Sequence, residues 1–303
     1  MKPARRFLGV PAPAKINLFL HVVGRRSDGY HEIQSAFVPI DLYDTLDFTA
    51  RDDGQVVREG DLTGPAEADL AVRAARLLQA QAGGRVPGVT LVVRKRIPVG
   101  AGLGGGSSDA ATTLLALNRL WDLGLQRAQL AAMGLQLGAD VPFFLGSGPA
   151  FVEGIGERCT PLALPPVQAV LVYPQAAVST AEIFADTKLT RDHKPTTIAG
   201  FSAAVRAQNS WLAGGPCAEA ALGGWCNDLE PVVRRRSAPV AAALRLLGTE
   251  GPARMSGSGS AVFSLCPSAG IAQERLIRLR ARMPAGWQAW AVSGLEEHPL
   301  GLW

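Results

Sequence analysis

The chain has 303 residues and a formal net charge of +4, with 48% hydrophobic and 18% charged residues. These proportions exclude an intrinsically disordered chain and allow a core of normal size. The basic residues are scattered and their excess is small, so we expect an anionic small-molecule ligand and no nucleic-acid partner.

The four cysteines, Cys159, Cys217, Cys226 and Cys266, form no CxxC pair and no cluster with histidine along the sequence. This spacing argues against a zinc site and against a disulfide framework, and it fits a reducing compartment. The N-terminal segment lacks the apolar stretch of a signal peptide, and no apolar run reaches about 18 residues. We therefore expect a cytoplasmic protein with no membrane partner.

The N-terminal part of the chain is predicted to form strands. Ala14–Val23 has strand composition and partial alternation, and a glycine turn separates it from further strands at Tyr30–Ile40 and Asp41–Phe48. Lys15 and Asn17 interrupt the apolar character of the first strand. Taken alone, the pattern favours solvent-facing side chains for both residues.

Three helices are predicted in the next part of the chain, at Ala66–Ala82, Ser108–Trp121 and Gln126–Leu137. The buried stripe of the first helix is predicted to be Leu70, Ala74, Leu77 and Leu78. The second helix has three candidate N-caps, Ser107, Ser108 and Asp109. Asp140 stands directly before Val-Pro, a position typical of an N-cap for the next short helix.

The second half of the chain also mixes strands and helices. Strands are predicted at Gln168–Tyr173 and Trp287–Val292, and Arg254–Leu265 is predicted to form a pair of strands separated by a Gly/Ser turn. Helices are predicted after Ser179, at Phe201–Trp211, over most of Asn227–Leu247, and at Ile271–Met283. Because strands and helices are interspersed without strict βαβ alternation, we predict an α+β fold. The Gly/Pro-rich passage Gly146–Pro166 suggests two domains, residues 1–165 and 166–303.

The most informative stretch is Pro98–Ala111, with the sequence PVGAGLGGGSSDAA. It lies between a predicted strand, Val89–Ile97, and the predicted helix from Ser108. Glycines let the backbone approach a ligand closely and adopt positive φ, and free N–H groups at a helix start attract anions. The stretch is therefore predicted to bind phosphate.

Two common phosphate-binding patterns do not fit this loop. A Walker A loop needs a glycine followed by Lys and then by Ser or Thr, which the stretch lacks. Gly100, Gly102 and Gly105 satisfy the GxGxxG pattern of dinucleotide-binding folds. That pattern should be followed about 20 residues on by a strand that ends in an acid, whereas Asp122 follows a helical pattern.

A third pattern does fit the loop. PVGAGLGGGSSDAA is similar to the ATP loop of the GHMP kinases, the superfamily of small-molecule kinases that includes homoserine and mevalonate kinases. PAKINLFLHV at Pro13–Val22 resembles the N-terminal motif of that superfamily. MSGSGSAVFSL at Met255–Leu265 resembles its C-terminal glycine motif, and the three motifs stand in the expected order.

Finer features narrow the resemblance to one family. GRRSDGYHEIQSAF at Gly24–Phe37, GADVPFFLG at Gly138–Gly146 and NDLE at Asn227–Glu230 resemble the 4-diphosphocytidyl-2-C-methyl-D-erythritol kinases. This family phosphorylates the 2-hydroxyl of a cytidine-diphosphate-linked sugar alcohol in the non-mevalonate isoprenoid pathway. The resemblance spans nearly the whole chain and is weakest over Asp186–Gly224.

The resemblance implies a two-domain GHMP kinase fold, with an N-terminal ribosomal-protein-S5-like domain and a C-terminal ferredoxin-like α/β sandwich domain. It also implies ATP and Mg²⁺ as cofactors and small-molecule partners. For the oligomeric state, both a monomer and a homodimer stay open. Mg²⁺ would be held mainly through ATP, and either Ser107 or Ser108 would add a hydroxyl to the phosphate or the metal.

Roles for individual residues follow from the same resemblance. Asp140 is implied as the catalytic base on the acceptor hydroxyl, with Lys15 beside it to hold it ionised and to stabilise charge on the γ-phosphate. The ATP-binding residues implied are Pro98, Val99, Gly100, Ala101, Gly102, Leu103, Gly104, Gly105, Gly106, Ser107 and Ser108. The cytidine-side residues implied are Asn17, Tyr30, His31, Phe37, Ile155, Thr180 and Phe184. Gly257 and Gly259 are expected on the sugar-phosphate side.

Two other functions stay open at this point. Another GHMP kinase, of the mevalonate or homoserine type, would share the loop, but Tyr30-His31 and the GADVPFF segment argue against it. A nucleotide-binding regulator that kept the loop and lost catalysis would not need Lys15 and Asp140, which are both present.

Overall fold

The computed structural model describes residues 6–61, 64–83, 86–207 and 225–303. A six-stranded sheet comes from the first half of the chain, with the order β3-β4-β2-β5-β6 and with β1 paired to β2. Its strands are β1 (Arg6–Arg25), β2 (His31–Arg51), β3 (Val56–Gly60), β4 (Gly88–Arg94), β5 (Ala150–Gly154) and β6 (Arg158–Pro161). Every pairing in it is antiparallel except that of β3 with β4.

The long antiparallel pair of β1 and β2 organises this sheet. The two strands predicted at Tyr30–Ile40 and Asp41–Phe48 form one continuous strand, β2, whose partners along β1 shift register at four points. Both faces of β1 are buried, and Lys15 and Asn17 are only 3% and 2% exposed. The expectation that these two side chains face solvent is therefore wrong.

The helices described in this half are α1 (Leu70–Gln81), α2 (Gly105–Leu120), α3 (Arg127–Leu135) and α4 (Val141–Phe144). The sheet contacts α1, α2 and α4, and α3 packs against the other helices. A 3₁₀ turn precedes α1, so the predicted helix from Ala66 begins later than expected. Leu70 and Leu77 are only partly buried, and the buried residues of α1 are Ala71, Val72, Ala74, Ala75 and Leu78. Two of the four predicted stripe residues, Ala74 and Leu78, are thus buried, and the buried face extends to Ala71 and Ala75.

The second half forms a four-stranded antiparallel sheet with the order β10-β7-β9-β8. Its strands are β7 (Gln168–Tyr173), β8 (Ala253–Met255), β9 (Val262–Cys266) and β10 (Gln288–Ser293). The helices are α5 (Thr180–Ala185), α6 (Ile198–Ala207), α7 (Glu230–Arg236), α8 (Ala238–Gly248) and α9 (Ala269–Arg280). Ser237 separates α7 from α8 and caps the latter. The end of the helix predicted at Phe201–Trp211 lies outside the described residues.

The two sheets share an apolar core. Ile16 and Leu18 of β1 belong to the same buried cluster as Leu171 of β7 and Phe263 of β9. The predicted α+β mixture is confirmed, while the boundary between residues 165 and 166 stays a prediction. In the described part of the chain, no helix combines the length and apolar character that a membrane span requires.

Candidate active site

The glycine loop connects β4 to α2. Gly100, Gly102 and Gly104 all have positive φ, at 67°, 74° and 73°. A Cβ atom at Gly102 would overlap the carbonyl oxygen of Ser256, and one at Gly104 would lie 2.8 Å from Phe144 Cζ. Only glycine fits both the torsion and the space at these two positions. The loop therefore delivers the free N–H groups of α2 to an open cleft, as an anion site requires.

The start of α2 differs from the prediction. The helix begins at Gly105 with Gly104 in the left-handed conformation at its N-cap, so none of Ser107, Ser108 and Asp109 is the cap. Ser107 lines the cleft. Ser108 is fully buried, and its Oγ has no hydrogen-bond partner among the described residues. Of the two serines, the geometry favours Ser107 as the one that meets a ligand.

Asp140 lies across the cleft from the loop, at the start of α4. Its side chain makes no capping hydrogen bond, so the cap interpretation of the sequence pattern does not describe what this carboxylate does. Asp140 Oδ2 instead lies 3.7 Å from Lys15 Nζ. The Asp140 side chain is 31% exposed, whereas the Lys15 side chain is 4% exposed. The carboxylate is thus the partner that a substrate can reach.

Lys15 is fixed by contacts on every side. Its Nζ donates hydrogen bonds to Asn17 Oδ1 at 2.6 Å and to the Gly102 carbonyl at 3.1 Å. The ammonium also lies 4.6 Å from the ring centroid of Phe37, within cation–π distance. Burial lowers the pKa of Lys15, and the nearby Asp140 carboxylate opposes that shift. A charge held in such a site is pre-positioned rather than solvated.

Ser256 links the loop to the C-terminal glycine turn, a role that the sequence did not indicate. Its Oγ accepts from the Asn17 backbone N–H at 3.2 Å and lies 3.1 Å from the Gly102 carbonyl oxygen. Asn227 supports the same turn, because its Nδ2 donates to the carbonyls of Met255 and Gly257, both at 2.8 Å. Sequence reasoning named the glycines of this turn and missed the serine.

A cleft of about 590 Å³ contains most of the predicted site residues. It runs from the glycine loop past Lys15 and Asp140 to Thr180 and Phe184. All ATP-loop residues from Pro98 to Ser107 line it, whereas Ser108 does not. Of the residues implied for the cytidine side, Asn17, Phe37, Ile155, Thr180 and Phe184 line it. A single cleft thus joins an anion-binding end, an acid–base pair and an aromatic end.

Tyr30 and His31 lie at the margin of this cleft rather than in its wall. Tyr30 is 60% exposed. The His31 ring lies 5.0 Å from the Phe184 ring, and His31 Nε2 accepts a hydrogen bond from Arg191 Nε at 3.0 Å. Burial lowers the pKa of His31, and the Arg191 guanidinium lowers it further. The imidazole is therefore neutral near pH 7 and can accept that bond.

Arg191 is the main residue that sequence reasoning missed at this end. Besides His31, its guanidinium donates to the backbone carbonyls of Phe184 and Asp186, both at 2.8 Å. It therefore fixes the end of α5 against the start of β2. It lies within the stretch where the sequence offers no motif, so nothing in the local pattern distinguished it from an ordinary surface arginine.

Comparison with known proteins agrees with this geometry. The family model for the GHMP kinases N terminal domain matches residues 69–148, and the one for the GHMP kinases C terminal matches residues 214–285. A curated 4-diphosphocytidyl-2-C-methyl-D-erythritol kinase of Herminiimonas arsenicoxydans is 48% identical over 293 residues, which is 96% of each chain. The chain belongs to the 4-diphosphocytidyl-2-C-methyl-D-erythritol kinase family. The predicted family is thereby confirmed.

Further relatives support the same membership. The 4-diphosphocytidyl-2-C-methyl-D-erythritol kinase of Burkholderia thailandensis is 50% identical over 95% of this chain and 94% of its own. A crystal structure of 4-(cytidine 5'-diphospho)-2C-methyl-D-erythritol kinase is 36% identical, with a TM-score of 0.76 over 96% of this chain and 99% of its own. Mevalonate kinase of Methanococcus jannaschii shares the fold, with a TM-score of 0.69 at 13% identity over 97% and 99% of the two chains. The predicted GHMP kinase fold is confirmed.

In this member of the 4-diphosphocytidyl-2-C-methyl-D-erythritol kinase family, a buried charged triad lies at the foot of the ATP loop. Lys95 Nζ contacts Asp44 Oδ2 and Asp109 Oδ2, the latter at 2.7 Å. The backbone N–H groups of Arg96 and Ile97 both donate to Asp44 Oδ1. Because Lys95 precedes the loop and Asp109 follows it, the triad closes the loop at its base.

The triad also carries an unusual ionisation. Burial raises the pKa of Asp109 to about 7; the Lys95 ammonium opposes this shift and the Asp44 carboxylate adds to it. The charges of Asp44 and Asp109 raise the pKa of Lys95 against the effect of its own burial. Asp109 was considered from the sequence only as a helix cap, and its partner Asp44 drew no attention because it lies mid-strand.

Proposed function

We propose that this chain transfers the γ-phosphoryl group of ATP to the 2-hydroxyl of 4-diphosphocytidyl-2-C-methyl-D-erythritol, in the non-mevalonate route to isoprenoid precursors. The observation that carries the proposal is that the Lys15–Asp140 pair lines the same cleft as the glycine loop and Phe184. A triphosphate entering from one end and a cytidine from the other would meet at this pair.

The proposed chemistry is an in-line displacement. The acceptor hydroxyl oxygen attacks the γ-phosphorus, the bond from that phosphorus to the β,γ-bridging oxygen breaks, and ADP leaves. Asp140 accepts the hydroxyl proton, so the base must be both ionised and accessible, and its side chain is the exposed member of the pair. Lys15 neutralises charge on the transferred group from a buried, fixed position.

The ATP end of the cleft fits a triphosphate. The loop from Pro98 to Ser107 lines it, and the N-terminus of α2 opens into it. Helix dipole and backbone N–H groups together stabilise bound phosphate. The lining at and beside the loop includes the apolar side chains of Leu70, Ile97 and Val99, which suit contact with the adenine base.

The residues present also fit Mg²⁺ bound with ATP. Ser107 lines the cleft, and its hydroxyl oxygen is a hard donor of the kind that Mg²⁺ accepts. Ser107 Oγ lies 3.9 Å from the point where a Cβ of Gly138 would stand, beside the segment that carries Asp140. Mg²⁺ would be held mainly by the phosphates and would neutralise their charge.

The cytidine end would be formed by Asn17, Tyr30, His31, Phe37, Ile155, Thr180 and Phe184. Phe184 offers a ring face at the cleft wall, and Tyr30 is exposed at the margin, so both can stack on a pyrimidine. Phe37 contacts the Lys15 ammonium, so we assign it to positioning that group as well. Thr180 Oγ1 lies 2.7 Å from Ser258 Oγ. We assign this pair of hydroxyls to the diphosphate group that links the cytidine to the sugar alcohol.

We further infer that residues 1–165 and 166–303 form the two domains, with the cleft between them. The first sheet ends with Pro161 and the second begins with Gln168, which supports a boundary in this interval. We also infer a cytoplasmic protein that acts on small molecules as a monomer or a homodimer.

A substrate panel tests the proposed function. ATP consumption is measured in a coupled assay with the cytidine-diphosphate-linked methylerythritol, mevalonate and homoserine in parallel. We expect turnover with the cytidyl substrate alone. Turnover with mevalonate or homoserine instead would assign another GHMP kinase activity. Tight ATP binding without turnover of any of the three would indicate a nucleotide-binding regulator.

A further inference from the structure

A second cluster of chemically reactive side chains lies outside the cleft lining. His21 from β1 meets His193 and Cys226, and the candidate ligand atoms of these three residues all lie within 4.8 Å of one another. Because the three residues are far apart in the sequence, the spacing of the cysteines gives no indication of the cluster. Among the described residues it is the one group of three or more potential metal ligands.

An acidic residue orients two members of the cluster. Asp228 Oδ1 lies 3.2 Å from His193 Nδ1 and accepts a hydrogen bond from Cys226 Sγ at 3.3 Å. Asp228 Oδ2 is fixed in turn by the backbone N–H of Val22 at 2.8 Å. When the carboxylate accepts from Nδ1–H, the lone pair of His193 is at Nε2. A carboxylate behind an imidazole in this way is the usual outer partner of a metal-bound histidine.

We propose that His21, His193 and Cys226 form a binding site for Zn²⁺, with Asp228 as the orienting carboxylate. One thiolate and two imidazoles are a donor set that Zn²⁺ prefers and that Mg²⁺ and Ca²⁺ do not. The site is therefore distinct from the Mg²⁺ that accompanies ATP. Cys226 is exposed, which gives the ion an entry path, and water would complete the coordination.

The geometry requires only side-chain movement. Zinc bonds of about 2.0–2.3 Å place neighbouring ligand atoms about 3.3–3.8 Å apart, so the cluster must contract by about 1 Å. The His21 and His193 rings are stacked, with centroids 3.5 Å apart and planes 12° apart. The ring nitrogens of two parallel stacked imidazoles cannot both point at one ion, so metal binding must rotate the two rings out of the stack. Trp225, parallel to His21 at 5.7 Å, is placed to report that movement by fluorescence.

Backbone hydrogen bonds already link the chain segments that carry the three cluster residues. Leu20 N donates to the Cys226 carbonyl at 2.9 Å, Asp228 N donates to the Leu20 carbonyl at 2.8 Å, and His193 N donates to the Val22 carbonyl at 3.2 Å. The ion would therefore join β1 to chain segments that lie before and after residues 208–224 in sequence. A metal that binds only the folded chain stabilises it by mass action.

Direct metal binding tests the inference without reference to kinase activity. The full chain is treated with chelator, transferred to metal-free buffer, and titrated with Zn²⁺ by calorimetry. We expect one equivalent bound with a dissociation constant below about 1 μM, a rise in Tm of about 5 °C, and a change in tryptophan fluorescence. Mg²⁺ should neither bind there nor compete. Absence of stoichiometric Zn²⁺ binding would overturn the proposal.

Variants locate the bound ion. Cys226→Ser and His193→Gln should each weaken Zn²⁺ binding about 100-fold, and Asp228→Asn about 10-fold. Cys159→Ser, which removes a partly buried thiol outside the cluster, should leave binding unchanged. With Co²⁺ as the probe, the wild-type chain should show thiolate-to-metal charge-transfer absorption that Cys226→Ser lacks. If Zn²⁺ binds equally well to both cluster variants, folded by circular dichroism, the assignment is wrong.

Discussion

Lys15 Nζ lies 3.7 Å from Asp140 Oδ2, with the ammonium buried and the carboxylate open to the cleft. This asymmetry fits the proposed roles, in which the buried ammonium stabilises charge and the exposed carboxylate exchanges a proton with the substrate. Asp140→Asn keeps the shape of the side chain and removes the base. Because positioned general bases contribute about 10²–10⁴-fold, we expect kcat to fall by that factor.

The kinetic assay of Asp140→Asn is accompanied by a measurement of ATP binding and by a control variant. ATP affinity, measured by calorimetry, should change less than threefold, because Asp140 does not build the glycine loop. Asp52→Asn, an exposed aspartate outside the cleft, is the matched control and should retain wild-type turnover. Near-normal turnover in Asp140→Asn would refute the base assignment while leaving the ATP site intact.

The buried position of Lys15 predicts an alkaline limit on activity. Burial lowers the pKa of Lys15 below its ordinary 10.5. Because the charged form is required, kcat/KM should fall as pH rises through the lowered pKa of the free enzyme. A bound triphosphate favours the charged ammonium and so raises the pKa of Lys15 in the complex. The alkaline decline of kcat should therefore lie at higher pH than the alkaline decline of kcat/KM. Coincident declines at or above pH 10.5 would contradict this account of Lys15.

Alanine substitutions at two glycines of the loop distinguish the effect of backbone strain from that of steric overlap. Gly100 and Gly102 both have positive φ, but a Cβ at Gly100 meets nothing within 4 Å, whereas one at Gly102 overlaps the Ser256 carbonyl. Gly100→Ala should therefore cost about 1 kcal/mol of unfolding free energy from backbone strain alone. Gly102→Ala should cost more, and should raise the KM for ATP about tenfold or more by displacing the loop from Ser256. Equal effects of the two variants, measured by urea unfolding and steady-state kinetics, would contradict the steric argument.

The position of the glycine loop and the proximity of Lys15 to Asp140 could be predicted from the sequence because the motifs that point to them are local. The glycine spacing around Gly102 and the segment around Asp140 each form a contiguous motif. The burial of Lys15 could not be predicted, because its strand shows an alternation that is typical of one solvent face. Burial on that face depends on which distant segments pack there, here the loop carbonyl of Gly102 and the ring of Phe37.

Residues that act through long-range contacts were missed for the same reason. Ser256 and Arg191 each join segments far apart in the chain, and neither stands in a pattern that differs from an ordinary turn or surface residue. The cysteine spacing argued against zinc, yet the fold brings Cys226 to two histidines from other segments. Periodicity and motif spacing report neighbours in sequence, whereas these sites depend on neighbours in space.

Substitution of Arg191 should weaken binding of the cytidyl substrate and leave binding of ATP unchanged. Its guanidinium holds His31 and the Phe184 carbonyl, so Arg191→Ala should loosen the aromatic end of the cleft. We expect the KM for the cytidyl substrate to rise about tenfold, with the KM for ATP unchanged. Removal of the nearby positive charge should also raise the pKa of His31, which NMR titration can follow. Equal changes in both KM values would show that the residue has a general structural role instead.

The triad at the base of the loop predicts how stability depends on pH. Burial raises the pKa of Asp109 to about 7, far above the 3.8 of an unfolded chain. Between about pH 4 and 7 the native state thus retains a proton that the unfolded state has lost, so stability falls as pH rises through this window. The slope can reach about 1.4 kcal/mol per pH unit, since one proton is involved.

Asp109→Asn should remove that slope, because the amide does not titrate while it can still meet Lys95 Nζ. Urea unfolding followed by tryptophan fluorescence at pH 5, 6, 7 and 8 measures the effect. The unfolding free energy of the variant should change less than that of the wild-type chain between pH 5 and 7, and the two curves should run parallel above pH 8. Asp53→Asn is the matched control: pairing with Arg51 lowers the pKa of the exposed Asp53 to about 2, so it titrates below the window. If the slope survives in Asp109→Asn, the proton belongs to another group, and the triad closes the loop as a fully charged cluster.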